Sequence, residues 1–246
     1  MCRHLAYLGP PEPLSAWVFD PPHALSHQAW APRDMRGGGT INADGFGVGW
    51  YPPEGGPPVR YRSAMPIWSD PTLPRLAEVT RSGAVLAAVR SATEGMPVIA
   101  TATAPLQDGR WLFSHNGVVR GFPGTLADLA AALPVEDLLT LDAPTDAAAL
   151  FALVRHGLRA GKTAEEALLS VVTAVLRVAP DSRLNLLLTD GDRILATTAG
   201  HALAVRATGD AVLVASEPLD DHPAWRPLPD RRLLIATPAA VELGEL

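Results

Sequence analysis

Residues 184–198 have the sequence LNLLLTDGDRILATT, and the fold prediction starts from this stretch. Two apolar runs, 184–189 and 194–198, are separated by the turn residues Asp190, Gly191 and Asp192. Short apolar runs joined by such a turn are typical of a β-hairpin. Because a tight hairpin pairs its strands antiparallel, we expect an antiparallel sheet in this part of the chain.

Two long helices are predicted directly before this hairpin. Residues 146–160 have helical spacing and follow Thr145, a good N-cap. Residues 163–178 begin with the capping-box sequence TAEE, and Pro180 marks the end of that helix. A shorter helix is predicted at 125–133.

The remainder of the chain is predicted to be mostly strands, with one further helix at residues 73–81. Apolar or alternating runs predict strands at 5–8, 17–19, 46–51, 59–62, 84–89, 111–114, 202–206, 211–216 and 232–237. Strict alternation of strands and helices is missing, so a doubly wound parallel fold is not expected. We therefore expect an α+β protein, with antiparallel sheets covered by helices, in one domain over residues 1–246.

Composition excludes several classes of protein. A net charge of −6 argues against a general nucleic-acid binder, which needs clustered basic residues. No apolar run reaches the roughly 18–20 residues that span a bilayer, and no signal peptide is recognisable, so we expect a cytoplasmic protein that does not act at membranes. Metal-ligand spacings and nucleotide-binding glycine motifs are missing, so we expect no metal and no cofactor. The sequence leaves open whether the protein forms a homo-oligomer.

The single cysteine is Cys2, which excludes an internal disulfide. Removal of Met1, usual before a small residue, would leave Cys2 with a free α-amine beside its thiol. Such an amine titrates near ~8 in model peptides, so part of it is neutral at pH 7 and can accept the thiol proton. One residue would then supply both nucleophile and base. On position alone, an incidental small residue near the terminus is the alternative.

Four motifs occur in a fixed order along the chain. They are MCRHLAY at 1–7, NADGFGVGWY at 42–51, VRSAT at 89–93 and FSHNG at 113–117. Together they resemble the class II glutamine amidotransferase domain, an N-terminal nucleophile (Ntn) hydrolase, over nearly the whole chain. The resemblance implies a four-layer αββα sandwich of two antiparallel sheets, with Cys2 at the beginning of an inner strand.

Two further stretches, CRHLAYLG at 2–9 and ASEPLDD at 215–221, resemble one branch of that family. This branch removes glutamate from γ-glutamyl-hercynylcysteine S-oxide in ergothioneine biosynthesis. The resemblance implies an amidohydrolase that acts on a small γ-glutamyl substrate through a thioester on Cys2. Two alternatives are a glutaminase subunit that supplies ammonia to a separate synthase, and a non-catalytic binding module on the same fold.

The resemblance also implies an oxyanion site in the HNG motif. The side-chain amide of Asn116 and the backbone N–H of Gly117 would stabilise the developing negative charge. The alternative is that Asn-Gly forms an ordinary turn, since this pair favours positive φ. His115, the first residue of the motif, is expected to contribute to substrate binding.

A clamp for the glutamyl group is implied at three positions. Arg90 would pair with the α-carboxylate, because its planar guanidinium can donate two parallel hydrogen bonds. Thr93 would support the same carboxylate, and Asp146 would hold the α-ammonium. The alternatives are a surface arginine at a strand end and a first-turn aspartate stabilised by the helix dipole. Glu94 occupies a position where the family often has histidine, and no role is assigned to it.

The implied leaving group carries a quaternary ammonium, which aromatic faces bind well. The aromatic candidates are Trp30, Trp50, Tyr51 and Trp68, and each of these is also typical of ordinary core packing.

Overall fold

The structure is a computed structural model that describes residues 2–34, 36 and 41–246. Its strands are β1 (Arg3–Pro13), β2 (Phe46–Trp50), β3 (Val59–Ser63), β4 (Arg81–Val89), β5 (Leu106–Asp108), β6 (Trp111–Val118), β7 (Arg183–Thr189), β8 (Ile194–Thr198), β9 (Ala204–Ala207), β10 (Val212–Ala215), β11 (Trp225–Pro227), β12 (Arg232–Thr237) and β13 (Ala240–Glu245). Its α-helices are α1 (Ser15–Val18), α2 (Leu25–Gln28), α3 (Leu73–Val79), α4 (Ala127–Ala130), α5 (Val135–Leu139), α6 (Asp146–Arg159) and α7 (Ala164–Val178).

The strands form two antiparallel sheets. The first has the order β11-β9-β10-β1-β4-β2-β3, and the second has the order β13-β12-β8-β7-β6-β5. The hairpin predicted from residues 184–198 is β7–β8, in which Leu187 pairs with Ala196. The Asp190 side chain closes its turn by accepting hydrogen bonds from the backbone N–H groups of Asp192 and Arg193, each at 3.1 Å. The predicted antiparallel architecture is therefore confirmed.

Three apolar cores separate four layers. The inner core lies between the sheets and includes Ala6 and Leu8 of β1 and Leu187 of β7. On the outer face of the second sheet, alternate residues of β7 pack against α6 and α7. On the outer face of the first sheet, Leu5 and its neighbours pack against α1, α2 and α3. Because strand side chains alternate between faces, β1 and β7 each contribute to two cores. The layers are those of the predicted αββα sandwich.

The long helices follow the predicted signals. The Thr145 side chain accepts a hydrogen bond from Ala148 at the start of α6. At the start of α7, Thr163 and Glu166 form both hydrogen bonds of a capping box. None of the helices in the described residues is long and apolar enough to cross a membrane.

The predictions at 17–19 and 125–133 were wrong, and the helix predicted at 73–81 ends at Val79 because Arg81 begins β4. Residues 17–19 were expected to form a strand, but Trp17 lies in helix α1, where its ring stacks on Tyr7 at 4.2 Å between centroids. Packing of this large aromatic side chain outweighs its intrinsic preference for strands. The helix predicted at 125–133 is shorter, a 3₁₀ turn over Gly124–Leu126 followed by α4.

Candidate functional site

Cys2 lies directly before β1, a central strand of the first sheet. The pairing of β1 with β4 is antiparallel and matches Arg3 with Val89, so Cys2 is brought beside Arg90. Cys2 is half-buried, and its Sγ lies 3.8 Å from the carbonyl oxygen of Ser91. Met1 lies outside the described residues, so its removal stays a prediction.

The HNG motif is part of a strand. β6 continues from Trp111 to Val118, and Asn116 and Gly117 pair with Asn185 and Leu184 of β7. The alternative reading of Asn-Gly as a turn is therefore wrong. Gly117 is required for close approach, because a Cβ at this position would collide with the carbonyl oxygen of Arg183.

The alternation of β6 points Asn116 between the two sheets. Leu112 of the same strand packs in the inner core, whereas Phe113 packs against Phe151 of α6. Asn116 is 1% exposed, and its Nδ2 lies 3.4 Å from the hydroxyl of Ser216, which follows β10 in the other sheet. Its Oδ1 is buried and has no hydrogen-bond partner within the described part of the chain.

Arg90 follows the last residue of β4 and is held by the glycine-rich motif. Its backbone N–H donates to Gly45 at 2.8 Å, and its carbonyl accepts from Asp44 at 2.9 Å. The guanidinium is buried and donates through Nη1 to the carbonyl oxygen of Pro97 at 2.9 Å. Among residues 2–34, 36 and 41–246, no carboxylate lies within 4.0 Å of it to form an ion pair. The positive charge of Arg90 is thus available to an anionic group entering the cleft.

Asp146 is the first residue of α6 and is also buried. Its carboxylate accepts hydrogen bonds from the backbone N–H groups of Ala147 at 2.8 Å and Val119 at 2.9 Å. His115 lies beside it, with Nδ1 3.9 Å from Asp146 Oδ1 and Nε2 2.9 Å from the carbonyl oxygen of Arg183. Since a carbonyl can only accept, Nε2 donates this hydrogen bond, and Nδ1 faces the Asp146 carboxylate. These contacts hold the side chains of His115 and Asp146 beside the end of β6.

These elements meet around one cleft. The predicted residues that line it are Cys2, Arg90, Thr93, His115, Gly117 and Asp146. Asn116 is buried beside it, between two lining residues of β6. The structure thus brings together the predicted catalytic and glutamyl-binding residues.

Other lining residues escaped the sequence analysis because small or apolar side chains carry no chemical signature. They are Ala88, Val89, Ser91, Met96, Ala102, Ala104, Leu106, Ser114, Thr145 and Ala147. Of these, Val89 and Ser91 belong to the VRSAT motif and Ser114 belongs to the FSHNG motif, but none of the three was assigned a role. The aromatic candidates Trp30, Trp50, Tyr51 and Trp68 do not line this cleft.

Buried histidines lie beneath the cleft. His4 is fully buried, and its Nδ1 lies 3.1 Å from the hydroxyl of Ser114. Burial is the largest cause that lowers the pKa of His4 well below its ordinary value. Burial, followed by the charge of Arg183, lowers the pKa of His201 to about 3. Both imidazoles are therefore neutral at physiological pH.

The described residues contain no group of three or more His, Cys, Asp or Glu side chains arranged to hold a metal ion. What the cleft does combine is a thiol, a buried cation and a buried carboxylate. A free α-amino acid group carries the two complementary charges, and a thiol is a nucleophile for its side-chain carbonyl. The arrangement is suited to a ligand with a glutamyl-like end.

Comparisons with known proteins agree with this chemistry. Residues 14–208 match the family described as "Glutamine amidotransferases class-II". Over 246 residues, the chain is 42% identical to the gamma-glutamyl-hercynylcysteine sulfoxide hydrolase of Mycobacterium tuberculosis (strain CDC 1551 / Oshkosh), covering 100% of this chain and 97% of the relative. It is 43% identical to the protein of the same name from Mycolicibacterium smegmatis, with 100% of both chains covered.

A solved structure is also similar. The glutamine aminotransferase class-II domain protein of Silicibacter pomeroyi has a TM-score of 0.71 and 25% identity, with 99% of each chain covered. The two-sheet architecture is therefore shared along the whole length of both proteins.

Proposed function

Because this chain belongs to the class II glutamine amidotransferase family, we propose that it is a hydrolase that cleaves the γ-glutamyl amide bond of γ-glutamyl-hercynylcysteine S-oxide. The products are glutamate and hercynylcysteine S-oxide, and the reaction belongs to ergothioneine biosynthesis. Relatives named gamma-glutamyl-hercynylcysteine sulfoxide hydrolase match the full length of the chain at 42% and 43% identity.

One observation supports the glutamyl half of this proposal more than any other. Arg90 and Asp146 carry opposite charges, are both buried, and line the same cleft as Cys2. Burial of a charge is costly unless a partner compensates it. An α-carboxylate at Arg90 and an α-ammonium at Asp146 would supply that compensation, with Thr93 as a further hydrogen-bonding group.

The first half of the proposed mechanism forms a thioester. After removal of Met1, the α-amine of Cys2 takes the thiol proton, and the sulfur attacks the γ-carbonyl. The oxyanion accepts hydrogen bonds from Asn116 Nδ2 and the backbone N–H of Gly117. When the intermediate collapses, the C–N bond breaks and the leaving amine takes the proton from the Cys2 ammonium.

The second half releases glutamate. The Cys2 amine takes a proton from water, and the hydroxide attacks the thioester carbonyl. The same two donors stabilise the second oxyanion, and the sulfur leaves as the C–S bond breaks. Arg90 and Asp146 hold the glutamyl group throughout, so no further group is needed to keep the acyl intermediate oriented.

A direct comparison of substrates tests the proposal. The values of kcat/KM are measured for γ-glutamyl-hercynylcysteine S-oxide, glutamine and glutathione. We expect the S-oxide to be preferred by at least about tenfold, since contacts to the leaving group add only where that group is present. Equal or better use of glutamine would contradict the substrate and leave a general γ-glutamyl amidase.

The Cys2→Ala variant is the control for this comparison. It is expected to lose turnover of all three compounds but to bind the S-oxide in calorimetry, because the Arg90 and Asp146 clamp is unchanged. Residual turnover near the wild-type rate would show that Cys2 is not the nucleophile.

A further inference from the structure

We propose that Ser216 and Glu217, the two residues directly after β10, are positioning residues for this reaction. Ser216 orients the Asn116 amide, and Glu217 acts through Arg3 to fix the main chain at Cys2. The inference rests on the proposed function, in which Cys2 is the nucleophile and Asn116 donates to the oxyanion.

Ser216 connects the two sheets at the reaction centre. β10 pairs with β1, and the Ser216 N–H continues this pairing by donating to the His4 carbonyl at 2.9 Å. The Ser216 hydroxyl oxygen accepts from the His4 N–H at 3.0 Å and lies 3.4 Å from Asn116 Nδ2. His4 belongs to the first sheet and Asn116 to the second, so one hydroxyl contacts both.

In the structure, the Asn116 amide presents its nitrogen, and not its oxygen, to this hydroxyl. A terminal amide rotates between two orientations that exchange its oxygen and nitrogen. Within the described part of the chain, the contact with Ser216 is the only hydrogen bond of the Asn116 side chain. Nδ2 has two N–H donors, so one can donate to Ser216 while the other remains for the oxyanion. The amide oxygen, which would repel an oxyanion, is then turned away.

The Glu217 carboxylate is held in place by several hydrogen bonds, one of them from Arg3. It is 3% exposed and accepts from Arg3 Nε at 2.8 Å and His23 Nε2 at 2.6 Å. It also accepts from the backbone N–H groups of Arg33 at 2.8 Å and Asp34 at 3.2 Å. A buried carboxylate that accepts this many hydrogen bonds is held in one orientation.

Arg3 connects the Glu217 carboxylate to the main chain of Cys2 by hydrogen bonds. Its side chain is 2% exposed, and Nη1 donates to the carbonyl oxygen of Cys2 at 3.0 Å while Nη2 donates to that of Asp34. The Cys2 carbonyl lies one bond from the Cα that carries both the thiol and the α-amine. Because Arg3 holds this carbonyl, rotation of the Cys2 backbone is limited.

The Ser216 arm of the test uses a double-mutant cycle. Ser216→Ala is expected to lower kcat about tenfold with KM within about twofold, less than the ~10²–10³ of a lost oxyanion donor. Asn116→Ala should show that larger loss, and the double variant should be no slower than Asn116→Ala alone. Ser216→Thr, which keeps the hydroxyl, should recover most of kcat.

Ser82→Ala is the matched control for this arm. Ser82 is equally buried, and its hydroxyl oxygen lies 2.8 Å from the carbonyl oxygens of both Tyr51 and Ala84, at the far end of β4 from the cleft. It should lower the melting temperature without changing kcat or the response to Asn116→Ala.

The Glu217 arm compares two buried carboxylates. Glu217→Gln should lower kcat by about tenfold or more, whereas Asp70→Asn should leave it unchanged. Asp70 is also buried and accepts from Tyr61 and the backbone of Thr72 and Leu73, away from the cleft. If Glu217→Gln fails to fold, Arg3→Lys, which keeps the charge but not the fork, is measured instead with the same expectation.

The outcomes separate this inference from the proposed function. If Asn116→Ala leaves kcat unchanged, the oxyanion assignment is wrong. If Asn116→Ala is slow but Ser216→Ala is not, or their effects multiply, the role of Ser216 is refuted alone. Wild-type kcat in folded Glu217→Gln or Arg3→Lys protein would likewise refute the role of Glu217.

Discussion

In the proposed mechanism, Arg90 and Asp146 contact only the α-carboxylate and α-ammonium of the substrate, which glutamine and glutathione also carry. These two side chains would therefore fix the glutamyl group without distinguishing leaving groups. Asn116 differs from them, because charge develops on the γ-oxygen only during the reaction. In steady-state kinetics, substitution of Arg90 or Asp146 should therefore weaken substrate binding, whereas substitution of Asn116 should mainly destabilise the transition state.

Substitution of these residues tests that separation. We expect Asn116→Ala to lower kcat by ~10²–10³ with little change in KM. Arg90→Ala should raise KM, since it loses a charge-assisted hydrogen bond to the substrate. It should also lower kcat, because the glutamyl group is then less well oriented for attack by Cys2. Steady-state kinetics with the S-oxide measure both effects. A rise in KM alone for Asn116→Ala would show that it binds substrate and does not stabilise the oxyanion.

At the scale of single elements, the start of β1 is where removal of Met1 would affect the proposed catalysis. Cys2 precedes this strand directly, and the proposed base is its own α-amine. We predict that active protein lacks Met1, which intact-mass measurement of the purified enzyme checks. A tag retained at the N-terminus should abolish activity, whereas the same tag at the C-terminus should not. Full activity with Met1 in place would mean that another group accepts the thiol proton.

β6 is the second element on which the site depends. Gly117 pairs with Leu184, and a Cβ there would meet the β7 backbone. Gly117→Ala should therefore destabilise the protein by ~1–3 kcal/mol, as overpacking does, and lower kcat because the strand must shift at Asn116. Urea denaturation and kinetics measure the two effects. Gly124→Ala is the control, since an added Cβ there has open space; equal effects of both substitutions would argue against close packing at Gly117.

Elements with strong local signals were predicted well from the sequence. The β7–β8 hairpin and helices α6 and α7 each carry a turn or capping signal within a few residues. β6 was predicted to end at residue 114, directly before the HNG motif. It continues to Val118 because pairing with β7 satisfies its backbone. Such long-range pairing has no signal in the local sequence.

The candidate site also contains some residues that could be predicted from the sequence and others that could not. Cys2, Arg90 and Asn116 were found from motifs, because their chemistry restricts the residue type. Ser216 lies in the ASEPLDD stretch, but its contact with Asn116 spans 100 positions and joins two sheets. No periodicity or spacing predicts such a contact, so residues that act by positioning others become visible only in the fold.

At the scale of the whole molecule, buried ionisable groups make stability depend on pH. His201 Nε2 accepts a hydrogen bond from Arg183 Nε at 2.9 Å, which requires a neutral imidazole. Burial is the largest cause that lowers its pKa from 6.5 to about 3. Burial alone would raise the pKa of Glu217, but hydrogen bonds from His23 and the Arg33 backbone, together with the charge of Arg3, lower it to about 2.

Both shifts act in the same direction. The unfolded chain takes up protons at higher pH than the folded protein, so stability falls as the pH decreases. The loss attributable to His201 begins near pH 6.5, and that of Glu217 begins near 4.5. We predict a decreasing free energy of unfolding from pH 7 to 4, measured by urea denaturation. His201→Gln should reduce the slope between pH 6.5 and 4.5, to which buried His4 also contributes, whereas the half-buried His156→Gln should not reduce it. An unchanged slope in His201→Gln would contradict the assignment.

The chain contains a single cysteine, and that cysteine lines the cleft. A thiol-specific electrophile can therefore modify this protein at one side chain only. The number of equivalents consumed counts the accessible reactive centres in a preparation, with no background from other thiols. Specific activity can then be expressed per competent molecule, so that an inactive fraction is not mistaken for a slow enzyme.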